Sequence, residues 1–169
     1  MKSFTYPALI FFVMVSCHPS PESKFERNGI SVISPAGWKM TPEEISNGGF
    51  YLLIEKEGID ASGLIAISWV SGKIELSEWM SIYKKELQDN IVYKNSNLSF
   101  RDPVENKFAG IKTTAVTYTV SLLGQEFEGS INFFHAREKS FAILKQQASE
   151  DKIGNDNEFQ RIERSFKIE

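Results

Sequence analysis

The sequence predicts an α+β domain, an antiparallel β-sheet of about six strands covered by helices in an α/β/α sandwich. Three observations predict it. Apolar, β-branched runs recur along the chain with glycine or polar residues between them, the pattern of consecutive hairpins. Two segments instead repeat apolar residues at spacings of three and four, the period of a helix with one face to bury. The 169 residues are 41% hydrophobic and 24% charged, enough for one domain with a sizeable core and unlike a disordered or multi-span membrane chain.

The elements follow in order. Phe25–Glu26 and Ile30–Ile33 flank Asn28-Gly29, a dipeptide that tolerates positive φ and closes tight hairpins. Pro35 ends the second strand and Gly37 allows a bend before Trp38. Phe50–Ile54 and Leu64–Val70 are strand candidates joined by the charged, glycine-containing stretch Glu55–Gly63. From Leu76 to Ile91 the period changes: Leu76, Met80, Tyr83, Leu87 and Ile91 form a helical stripe, widened by Trp79 and Ile82, with Ser77 as the expected N-cap. Strands return at Leu98–Lys107, Ile111–Leu122, Gln125–Arg137 and Ser140–Gln147, with Gly110, Gly124 and Glu138-Lys139 at their tips. The chain closes with a short helix whose stripe is Phe159, Ile162 and Phe166, capped by an amide or carboxylate within Gly154–Glu158. Trp38, Trp69 and Trp79 fall where core residues fall.

Charge and cysteine content narrow the function. The 19 Lys and Arg against 22 Asp and Glu give a net charge of -3, so nucleic acid is not an expected partner. One cysteine excludes an internal disulfide framework and a Cys-based zinc cage. Residues 1–17, MKSFTYPALIFFVMVSC, have an early Lys2, an apolar run from Ala8 to Val15 and small Ser16 before Cys17, the layout of a secretory signal. Met14-Val15-Ser16-Cys17 resembles the bacterial lipobox, with Met14 in place of the usual Leu. The resemblance implies cleavage before Cys17 and lipid attachment to its thiol. Residues 1–16 are then a lipoprotein signal peptide, 17–24 a polar tether stiffened by Pro19 and Pro21, and 25–169 the folded domain. Losing Lys2 with the signal leaves a formal charge of -4, so lipid and not charge is expected to hold the protein at the membrane. By analogy with enterobacterial lipoproteins, His18 in place of Asp after the cysteine favours the outer membrane, periplasm-facing.

Gly29-Ile30-Ser31-Val32, Pro35-Ala36-Gly37-Trp38, Phe108-Ala109-Gly110-Ile111-Lys112 and Ser165-Phe166, in this order of elements, resemble PsbP-like and Mog1-like domains, including bacterial DcrB-type lipoproteins. The resemblance runs over residues 25–169 and implies an antiparallel sheet between helical layers. It also implies a binding or assembly module without catalysis, and it carries no site residue over. The expected function is that of a lipid-anchored envelope protein binding an unidentified envelope protein. A periplasmic immunity or effector-adaptor role is the alternative, and a hydrolase the third reading.

Other chemistry is thinly represented. Ser81-Ile82-Tyr83-Lys84 has the bare S-x-x-K spacing of serine acyl-transferases, but no S-D-N element follows and only Lys112-Thr113-Thr114 approaches K-T-G. His135 is the one histidine of the folded part, and an imidazole needs a nucleophile and an orienting carboxylate to act as a base. Asp151, Asn155, Asp156, Asn157 and Glu158 offer oxygen ligands without EF-hand spacing, and helix capping accounts for the same residues. Asn97-Leu98-Ser99 fits the glycosylation pattern by chance in a bacterial-type chain. No cofactor, no metal and no catalytic residue is expected, and Cys17 is the single assigned site, for lipid.

Overall fold

The computed structural model describes residues 19–45, 49–58, 61–94 and 96–169. The signal segment 1–16, Cys17 and His18 lie outside the described residues.

Among the described residues are eleven strands and two helices. Strands β1 (Ser23–Arg27) and β2 (Ile30–Ser34) make the expected hairpin, Arg27 opposite Ile30, with Asn28 at φ 54 and Gly29 at φ 73. Both positive angles suit the twist of a two-residue turn. Next come β3 (Trp38–Ile45), β4 (Gly49–Lys56), β5 (Leu64–Ser71) and α1 (Leu76–Asp89). They are followed by β6 (Ser99–Phe100), β7 (Val104–Phe108), β8 (Ile111–Leu122), β9 (Gln125–Ala136) and β10 (Lys139–Ala148). A 3-10 turn at Ser149–Asp151, α2 (Lys152–Ser165) and β11 (Lys167–Ile168) complete the chain.

The main sheet runs β3-β4-β5-β10-β9-β8-β6, with β7 also paired to β8, and every pairing is antiparallel. It therefore has eight strands where about six were expected, and β1-β2-β11 forms a second, three-stranded sheet. β3 escapes sequence reading because Pro42 interrupts it; on the outer edge of the sheet a residue without an N–H costs no ladder bond. Pro103 divides the expected strand 98–107 into β6 and β7. β11 is too short to announce itself.

Each face of the main sheet carries its own core. On one, α2 and the small sheet cover Phe50, Leu52, Ile65, Ile67, Phe141 and Ile143 with Ile30, Val32, Phe159, Ile162 and Phe166. Phe50 and Trp69 stack at 4.5 Å, and Trp38 meets Phe159 edge-on at 5.5 Å. On the other, α1 lies over Val116, Tyr118, Val120, Ile131, Phe133 and Leu144. Trp79 is the buried residue of α1, whereas Met80, Tyr83 and Leu87 are half-buried and Ile82 and Ile91 are exposed.

Local caps depart from expectation. Glu75, not Ser77, caps α1: its carboxylate accepts the Glu78 N–H at 3.0 Å and the Ser77 hydroxyl. α2 begins at Lys152, so Asn155 is not a cap but a buried residue inside the helix, donating to Ser62 O at 2.9 Å and accepting from Lys56 Nζ at 2.7 Å. Of the expected tether 17–24, the described part, residues 19–24, is bonded to the domain. Ser23 and Lys24 open β1, and Ser20 is clasped to the domain by three bonds. Its carbonyl accepts Gly37 N–H at 2.8 Å, while its N–H and hydroxyl donate to the two Glu57 carboxylate oxygens at 2.8 Å each.

Candidate functional site

The long strands β8 and β9 carry a groove on each face. The first, of about 650 Å³, lies on the α1 face beside the start of that helix. Register assembles it: Glu105 sits opposite Thr114 and Lys107 opposite Lys112, while Thr114 in turn faces Phe133. His135, two residues beyond Phe133, shares its face. Leu76 of α1 and Phe133 give an apolar floor, and Glu105, Lys107, Lys112 and His135 a mixed-charge rim. Ser140 positions the helix start by donating to Gly72 O at 2.8 Å and accepting Ile74 N–H at 2.9 Å.

His135 is exposed, and its Nε2 lies 2.7 Å from the Ile74 carbonyl oxygen. A carbonyl only accepts, so Nε2 carries the proton and Nδ1 is the acceptor of the neutral ring. The nearby Thr113 hydroxyl is committed to Asn132 Oδ1 at 2.9 Å. Ser81 is exposed on α1, and Lys84 lies with its ammonium 5.4 Å from the Phe100 ring centroid. The groove therefore brings apolar area and charges of both signs together without a nucleophile held by a base, an arrangement suited to binding a protein or peptide surface.

The second groove, about 280 Å³, lies on the opposite face beside the start of α2. Two rungs of the sheet floor it, Thr117–Ser130–Lys145 and Thr119–Glu128–Gln147, and Arg101, Lys152 and Asp156 close it. Lys152 pairs with Glu128 at 2.8 Å. Burial would raise the Glu128 carboxyl, but the bonds from Lys152 and Gln147 outweigh it and hold the group below its ordinary value. Gln147 is buried, and its Oε1 has no hydrogen-bond partner among the described residues. Sequence alone missed this trough. The alternation Val116-Thr117-Tyr118-Thr119-Val120 signals a polar face, but only the register brings Ser130 and Lys145 alongside.

The possible oxygen ligands disperse: Asp151 accepts from Ser62, and Asn155 is buried between Ser62 and Lys56. Among the described residues no three His, Cys, Asp or Glu are grouped to hold a metal ion, and no helix is long and apolar enough to cross a membrane. The assigned lipid site, Cys17, precedes the described chain by two residues.

No known protein family and no curated protein matches the chain by sequence. Solved structures do match by shape. Cyanobacterial PsbP (CyanoP) of Synechocystis sp. PCC 6803 superposes over 92% of this chain and 96% of its own, with a TM-score of 0.57 at 12% identity. LpqN of Mycobacterium tuberculosis, described as involved in cell envelope biogenesis, covers 88% and 90% at TM-score 0.50 and 12% identity. A protein from Bacteroides thetaiotaomicron matches 89% of this chain at TM-score 0.53 and 12% identity, this chain spanning about half of its length, 49%. The expected α+β fold of PsbP-like domains is thus present.

Proposed function

We propose that this PsbP-like fold serves as a non-catalytic protein-binding or assembly module, held at the bacterial cell envelope by lipid on Cys17. The groove on the α1 face carries the binding part: half-buried Leu76 sits over the buried Phe133 and is ringed by Glu105, Lys107, Lys112 and His135. His135 has its proton on the nitrogen already bonded to Ile74 O, and no activated nucleophile faces it, so recognition and not turnover is what the groove supplies. The fold shared with LpqN, a protein of envelope biogenesis, supports an envelope role. The -4 charge left after removal of the signal leaves lipid as the means of attachment, and the outer membrane is the favoured membrane, periplasm-facing.

Photocrosslinking in intact cells tests this reading. A photoreactive residue replacing Lys107 should trap one discrete envelope protein, and one replacing Arg164 on the outer side of α2 should not. The His135→Ala, Ser81→Ala double variant should still trap the same protein, because Leu76 and the Glu105 and Lys112 charges of the groove remain. Equal labelling from both positions, or an ester or peptide turnover lost in the double variant with folding intact, would contradict it.

A further inference from the structure

The N-terminal clasp and the exposed apolar side chains occupy the same end of the domain. Ser20 is bonded to Gly37 and Glu57, whose own backbones are joined at 2.8 Å, so Pro19 leaves the fold beside the β2–β3 turn and the β4–β5 connection. Ser62 of that connection accepts Ala148 N–H at 2.8 Å, which brings the end of β10 and the start of α2 alongside. Gln125 donates to Glu150 at 2.5 Å and so joins the β8–β9 tip to this end. The segment after α1 arrives there too, with Tyr93 donating to Gln146 Oε1 at 2.9 Å.

Four apolar side chains project from this end: Leu123 at 109% exposure, Ile153 at 89%, Ile91 at 88% and Val92 at 59%. They are the four most exposed large hydrophobic residues among the described residues; the next, Val104 at 56%, lies on edge strand β7 opposite Ala115, away from this end. Leu123 also holds φ 52 at the tip of its hairpin, and the equivalent places in the other hairpins are taken by Asn28 (φ 54), Ala109 (φ 50) and Arg137 (φ 54). Asn adopts that conformation at lower cost than Leu, so the turn itself does not explain a leucine there. The opposite end is charged, with Arg137 at the β9–β10 tip and Lys73 paired to Glu138.

We infer that this end lies against the bilayer, with Leu123, Ile153, Ile91 and Val92 seated among the lipid headgroups as a second membrane contact beside the acylated Cys17. The inference rests on the lipid-anchor reading above. Two residues of chain span at most about 7 Å, so a lipid on Cys17 holds the clasped end at the membrane surface. From β4 to β8 the end is four strand spacings wide, roughly 19 Å, which sets apolar residues well apart from the anchor point and resists tilting. Glu126, Glu150 and Asp156 flank the patch together with Lys94 and Lys152, so neither sign dominates and the contact is apolar.

The test uses the full, acylated chain reconstituted in phosphatidylcholine vesicles, carrying one environment-sensitive fluorophore. Acylation occupies Cys17, so Leu123→Cys, Ile153→Cys and Arg137→Cys each offer a single free thiol. Headgroup spin-labelled lipid should quench the first two probes several-fold more than the third, unchanged when phosphatidylglycerol replaces part of the phosphatidylcholine. Quenching at Leu123 and Ile153 no greater than at Arg137, with Cys17 acylated by mass, overturns this contact and leaves the anchor standing. Shielding found only in native envelope membranes overturns it in favour of a protein partner. An unacylated Cys17 in the same samples overturns the anchor reading and this inference together.

Discussion

Glycine shows how closely single residues are fixed here. Gly129 lies opposite Tyr118 on β8, and the ring crosses it so that a Cβ would fall 2.2 Å from Tyr118 Cζ. The same phenol donates to buried Gln146 Oε1 at 2.7 Å and therefore cannot swing away cheaply. Gly154 in α2 meets nothing within 4 Å and has no positive φ. Gly129→Ala should destabilise by about 1–3 kcal/mol through overpacking. Gly154→Ala should stabilise by about 0.5–1 kcal/mol through helix propensity, and urea melts of the two variants check both signs. At this scale the sequence was partly legible. Trp38, Trp69 and Trp79 are core residues as their patterns indicated, whereas buried Asn155 gives no sign in sequence that its amide bridges Ser62 and Lys56.

Among the elements, periodic segments were the readable ones. The long hairpins of β8, β9 and β10 declare themselves by alternation and glycine tips, and α1 by its stripe. What failed to show were elements whose stability is tertiary: β3, tolerated with Pro42 only at an edge, and two-residue β11, fixed by pairing with β2 and by Glu169 N–H on Gly29 O. The α1 stripe also predicts more burial than the helix achieves, because the sheet surface meets it chiefly at Trp79. Trp79→Ala should thus cost about 3–5 kcal/mol, against less than about 0.5 for exposed Lys85→Ala, with Leu87→Ala between them in chemical melts.

The clasp of the N-terminal segment is an element-scale contact with a pH signature. Hydrogen bonds from the Ser20 backbone, then its hydroxyl, hold the exposed Glu57 carboxyl below its ordinary 4.5. A depressed carboxyl stabilises the fold above its unfolded value, and that contribution is lost as pH falls through the lower folded value. Protection of the Ser20 and Gly37 amides, taken relative to the intrinsic exchange rate at each pH, should be high at neutral pH and fall below about pH 4.5. In Glu57→Gln that protection should be reduced already at neutral pH and should change little with pH.

For the molecule as a whole, two grooves flank β8 and β9, one apolar-floored and one polar, and a single end gathers the clasped N-terminal segment and the four most exposed large apolar residues among the described residues. The sequence made the fold class and the candidate lipid cysteine legible, because both rest on local pattern. Neither groove was legible, since each is an assembly across three or more strands whose register no local pattern records. The central claim, a binding domain fixed to the envelope by lipid on Cys17, meets its most direct test in metabolic fatty-acid labelling combined with membrane fractionation. The wild-type chain should take up label and sediment with membranes, while Cys17→Ser should take up none and appear in the soluble fraction with its fold intact. Equal membrane retention and equal labelling in the two proteins would contradict it.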